Sequence, residues 1–205
     1  MSGVEPLAVL GGISSIITIA EKIVEVYDTV KNQQGIPEAF NVAADQLLII
    51  RNICGQAERQ LSTRSDEHLA RGITNAINKC KENAETLESI FMSVKPKDGV
   101  WKIEWYYQAV RDRGKWGMVE KLMATILRNV QLVDTNLGLN QQQDIMDAIN
   151  DLKQVPPSVP DSEFRPGFNM HQSGSGTQHG QYVASGDGFF SGGGTQNFGK
   201  KDDRV

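Results

Sequence analysis

Pro6-Leu7-Ala8-Val9-Leu10-Gly11-Gly12-Ile13-Ser14-Ser15-Ile16-Ile17-Thr18-Ile19-Ala20 runs for fifteen residues without a charge. A bilayer-spanning helix needs about twenty predominantly apolar residues, so the uncharged stretch alone falls short. The chain then turns amphipathic, with Ile23, Val24, Val26, Tyr27 and Val30 set among Glu21, Lys22, Glu25, Asp28 and Lys31. Two readings follow. In one, the segment is the central helix of a bundle, apolar all round because it is buried all round. In the other, it leaves the bundle and enters a membrane. They are compatible, since a helix can be core at rest and insert when released. Leu7, Val9, Leu10, Ile13, Ile16, Ile17 and Ile19 are the candidate membrane-active residues.

The flanking sequence decides in favour of helices. Asn32–Gly35 form a break, and Pro37 stands where the first turn of a helix tolerates proline. Phe40, Ala43, Ala44, Leu47, Ile50, Cys54, Ala57 and Leu61 then recur at three and four residues, one face of a helix. Ser65 is a candidate N-cap for the next helix. Its stripe is Leu69, Ile73, Ala76, Ile77, Cys80, Ala84, Leu87, Phe91 and Val94, and Pro96, Asp98 and Gly99 mark a loop after it. Val119, Leu122, Met123, Ile126, Leu127, Val130, Val133 and Leu137 line another helix, and Ile145, Ile149 and Leu152 a last one from about Gln141 to Leu152. Trp101, Trp105 and Trp116 cluster with Tyr106 and Tyr107, either plugging one end of the bundle or forming an interfacial belt. β-type alternation is missing before residue 155, so the fold class is all-α, a bundle of five or six helices over residues 1–154.

Composition narrows the function classes. A net charge of −4 with scattered basic residues disfavours nucleic acid, because a duplex binder needs a concentrated basic face. Cys54 and Cys80 fall on apolar stripes and read as buried thiols. With no sequon and no basic leader, they favour a cytoplasmic resting location. No metal-ligand spacing, nucleophile elbow or dinucleotide glycine pattern occurs. Gly194–Lys201 nearly matches a phosphate-binding loop, but Lys201 stands where Ser or Thr must ligate magnesium. The chain therefore reads as a non-enzyme without catalytic residues, metal or cofactor.

Pro156, Pro157, Pro160 and Pro166 mark a stiff linker over residues 155–170. Between Gly167 and Gly199 lie ten glycines, no Leu or Ile, and one formal charge, Asp187. Such a segment buries too little apolar surface to order itself as a monomer. Yet Ser173-Gly174-Ser175-Gly176-Thr177-Gln178-His179-Gly180 is echoed by Ser191-Gly192-Gly193-Gly194-Thr195-Gln196-Asn197-Phe198, matching at five of eight positions. Gln and Asn ladders with stacked aromatics suit cross-β assembly. Residues 171–199 are thus a candidate amyloid motif, with Gly176, Thr177, Gln178, Phe189, Phe190, Gly194, Thr195, Gln196 and Asn197 as its candidate residues. Assembly would make the chain its own partner.

Glu5–Ile17, Val26-Tyr27-Asp28, Gly35–Phe40 and Trp101–Tyr106 resemble the fungal SesA domain, found at the N-termini of NACHT and other NOD-like receptor NTPases, with the HeLo and HeLo-like cell-death domains as relatives. The likeness covers roughly residues 4–140. The tail is similar to the sigma and RHIM-like amyloid signalling motifs of the same systems. Its two imperfect copies and aromatic insertions leave the subtype open. The pairing implies an effector of programmed cell death or heterokaryon incompatibility. A NOD-like receptor bearing a matching motif would template the tail, and the helical domain would act on plasma-membrane lipids. The alternative is an adaptor or regulator of a NACHT NTPase without membrane activity.

Overall fold

In the computed structural model the described residues are 6–63, 67–95 and 101–164, the side chain of Trp116 excepted. Six helices are described: α1 (Pro6–Val30), α2 (Glu38–Thr63), α3 (Glu67–Val94), α4 (Ile103–Arg111), α5 (Val119–Leu137) and α6 (Gln142–Gln154). Short 3-10 turns occupy Lys115–Gly117 and Asp161–Phe164. The described residues contain no strand, and the all-α expectation holds. The chain divides into two units between Arg165 and Pro166, and the fold concerns the first. The expected Ser65 cap, the loop at Pro96, Asp98 and Gly99, and every amyloid-motif residue lie outside the described residues.

Four long helices close a ring. α1 packs on α2 and α3, and α5 closes the other side against the same two. Side-chain pairs fix the directions. Arg51 meets Glu21 at 3.6 Å and Tyr27 donates to Asn41 at 3.0 Å, so α1 and α2 are antiparallel. Gly12 lies against Ile77 and Lys22 pairs with Glu88 at 3.4 Å, so α1 and α3 run the same way. The Gln60 amide donates to the Leu137 carbonyl at 2.9 Å, bringing the C-terminal ends of α2 and α5 together.

The stripes read from the sequence fill the ring: Leu47, Ile50, Ile73, Ile77, Leu87, Ile126 and Leu127 are at most 2% exposed. Cys54 and Cys80 are buried free thiols within the same core. At one end Phe40 meets Phe91 at 4.7 Å, Tyr106 at 4.9 Å and Trp101 at 5.6 Å between ring centroids. Trp101 and Tyr106 therefore plug the bundle end. Trp105 is only half-buried, with the Lys102 ammonium 5.6 Å from its ring.

α5 ends at Gly138, whose φ of 63° is the left-handed conformation that glycine adopts without strain. Buried Asp134 accepts the Gln141 N–H at 2.8 Å and fixes the turn into α6. α6 then lies along α2 and α5.

Candidate functional site

The structure corrects the reading of α1 as a central helix buried all round. α1 has two helical neighbours and an open side. Val9, Ile13, Ile16, Ile19, Ala20, Ile23, Val26 and Val30 form the buried stripe. Leu7, Gly11, Ser14, Thr18, Glu21, Glu25 and Asp28 form the solvent stripe, with Leu7 74% exposed. The seven candidate membrane residues divide accordingly. Val9, Ile13, Ile16 and Ile19 are core, Leu10 and Ile17 are half-buried, and Leu7 is open.

The absence of charge on the solvent stripe before Glu21 is the unusual feature. Water-facing helix stripes ordinarily carry charge. Here small residues replace it: Thr18 on that stripe donates to the Ser14 carbonyl at 3.0 Å, and half-buried Ser15 beside it donates to the Gly11 carbonyl at 2.7 Å. These two hydroxyls thus need no water. At 25 residues and about 1.5 Å per residue, α1 is long enough to cross a bilayer core only when its charged part from Glu21 on is counted. An 18-residue window within it has a mean hydropathy of 1.8, with only 33% of that window buried.

What holds α1 is its buried stripe. Its seven buried Val and Ile side chains, at about 1.5–3 kcal/mol each, anchor it by on the order of 10–20 kcal/mol. α1 therefore does not leave the bundle spontaneously. Departure requires another apolar environment for those side chains.

A second feature was missed in the sequence. Residues 155–164, expected to be a free linker, fold back as a strap on the bundle. Ser158 and Val159 are 7% and 1% exposed. The Val119 N–H donates to the Tyr106 hydroxyl at 3.3 Å, Tyr106 donates to Ser158 Oγ at 2.5 Å, and Ser158 Oγ donates to Glu120 Oε2 at 2.5 Å. The Ser158 N–H donates to the other Glu120 oxygen at 3.1 Å. Burial in this chain pushes the Tyr106 hydroxyl well above its ordinary range, despite its hydrogen bonds with Ser158 and Val119. Outside the network, Lys115 pairs with Asp161 at 2.7 Å and Arg111 with Glu163 at 3.5 Å. Instead of a stiff extended linker, the stretch bends at Ser158 and Val159 and ends in the 3-10 turn Asp161–Phe164, with the residues between the prolines anchored. Glu120 carried the missed signal: it is a charge at the start of the α5 stripe, between Val119 and Leu122.

The family model described as the SesA N-terminal domain on NACHT NTPases and P-loop NTPases matches residues 13–133, well over half of the chain. The chain belongs to the SesA family. The matched segment of this SesA protein begins inside α1 and ends inside α5, so it holds most of the four-helix ring. The first turns of α1, α6 and the strap lie beyond it. No curated protein and no solved structure matches. The SesA domain ties the chain to NACHT NTPase signalling.

Proposed function

We propose that this SesA protein is a non-enzymatic effector of programmed cell death or heterokaryon incompatibility, cytoplasmic at rest. A NOD-like receptor NTPase carrying a matching motif templates residues 171–199 into amyloid, and α1 then permeabilises the plasma membrane. The observation that carries the reading is the uncharged solvent stripe of α1 from Leu7 to Thr18. Insertion exchanges burial of the α1 stripe against α2 and α3 for burial in lipid, while the faces of α2 and α3 that α1 covered are covered by neighbouring copies in the assembly. Glu21, Lys22, Glu25 and Asp28 remain at the aqueous boundary, since a charge at the bilayer centre costs several kcal/mol. Stacked tails supply the bias by holding many bundles at high effective concentration. The strap joins α6 to the tail in sequence, so tail assembly strains it first.

The test is dye release from anionic vesicles by the full chain, with and without preformed fibres of a peptide spanning residues 165–205. Release that requires seeds, and that is lost in Leu7→Asp, is expected. Leu7 is open, so that substitution leaves the bundle intact, whereas Ile16→Asp also destroys the core. Seeded chain that leaves vesicles sealed contradicts the membrane step. A peptide that forms no fibres contradicts the templating step.

A further inference from the structure

α2 and α6 enclose a groove of about 620 Å³. Its rim carries Glu38 and Asp45 from α2 and Asp144, Asp147 and Asp151 from α6, and its lining holds no basic residue. Among the described residues none of the five carboxylates has an ion-pair partner. Elsewhere on the bundle Glu21, Glu85 and Glu88 each meet an Arg or Lys. Glu38 and Asp144 are favourable in the first turns of their helices. Asp45 and Asp151 have no such explanation, and Asp147 accepts only from the neutral Gln143 amide at 2.9 Å. Asp147 and Asp151 are a like-charge pair one turn apart, an arrangement that destabilises a helix.

The groove wall is apolar between the charges, with Val42, Ile49, Ala148 and Val155. Gln46 also lines it and is 3% exposed. Its amide nitrogen donates to the Ala148 carbonyl at 2.6 Å, and its Oε1 is buried with no hydrogen-bond donor. A buried acceptor without a donor is costly unless something supplies one.

We propose that this groove docks a cationic amphipathic helix of a partner protein. Its apolar side chains would rest on Val42, Ile49 and Ala148, its Lys and Arg would meet the five carboxylates, and a side-chain donor would reach Gln46 Oε1. The α6 carboxylates span seven residues, about 10 Å along the axis, too far for one metal ion and suited to an elongated polycation. The chain's own Lys200, Lys201 and Arg204 are interrupted by Asp202 and Asp203, which favours an occupant from another chain. The proposal is independent of the membrane reading, because docking requires no movement of α1.

The test titrates the full chain into a labelled helical peptide of Leu and Lys, with a Leu/Glu peptide as control, followed by fluorescence anisotropy. The Leu/Lys peptide is expected to bind, more weakly at high salt, and the control not to. Asp147→Asn/Asp151→Asn is expected to weaken binding by at least about tenfold while leaving the melting temperature unchanged or higher, since it relieves the like-charge pair and spares the first-turn Asp144. Equal binding by that variant, or no binding by the wild type, overturns the proposal. Displacement of the peptide by millimolar calcium alone would make the groove a cation site and overturn it too. Tighter binding after Lys200→Glu/Lys201→Glu/Arg204→Glu would identify the tail as the occupant and overturn the partner in trans.

Discussion

Gly11 and Gly12 are neighbours in α1 with opposite constraints. A Cβ on Gly11 meets nothing within 4 Å, whereas a Cβ on Gly12 comes 2.6 Å from Ile77 Cγ2. Gly11→Ala is expected to stabilise by about 1 kcal/mol, the helix-propensity difference. At Gly12 the same gain is opposed by overpacking of about 1–3 kcal/mol, so Gly12→Ala is expected to be neutral to destabilising and to loosen α1 from α3. Urea midpoints of the two variants check the contrast. The thiols make a second residue-scale prediction. Burial pushes Cys54 from its ordinary 9.0 up to about 12, and raises Cys80 well above 9.0. The unfolded chain therefore loses these protons above pH 9 while the folded chain keeps them, so stability falls as pH rises past that value. Denaturant midpoints under reductant on either side of pH 9 measure the fall, and Cys54→Ala/Cys80→Ala is expected to flatten it.

At the scale of elements, α2, α3 and α5 were legible because their apolar residues keep to one face, and that face is the buried one. α1 was located correctly but misplaced in the bundle, because lack of charge was taken for burial on every side. Gly11, Ser14 and Thr18 are small and uncharged, yet they face solvent. The strap was illegible for a different reason. Its partner Glu120 lies 38 residues earlier, and no local pattern links the two. The groove likewise exists only once α6 is laid against α2, although Gln46, one turn from Ala43 and Ile50 on the core stripe, was a visible anomaly. The strap also gives a prediction. Ser158→Ala removes the link between Tyr106 and Glu120 and leaves the buried carboxylate with one fewer donor, a loss of about 1–3 kcal/mol. Denaturation should show that loss, and seeded vesicle leakage should begin at a lower seed dose. A variant with lowered stability but an unchanged seed threshold would leave the strap a structural brace only.

For the whole molecule, three parts follow in sequence order: a helix whose first fifteen residues are uncharged and which is held by its core stripe, a strap anchored on Glu120, and the tail proposed to self-assemble. In this scheme α5 still holds α2 and α3 after α1 leaves, but the apolar faces they turned to α1 need new cover. The central claim is that α1 must part from α3 before membranes are damaged. Gly12 and Ile77 are close enough for Gly12→Cys/Ile77→Cys to form a cross-link. The decisive measurement is seeded dye release by this variant, oxidised and then reduced. Release only after reduction is the expected result, with tail fibres forming in both states. Equal release from the oxidised chain would show that membranes are damaged with α1 still locked in the bundle, and would contradict the account.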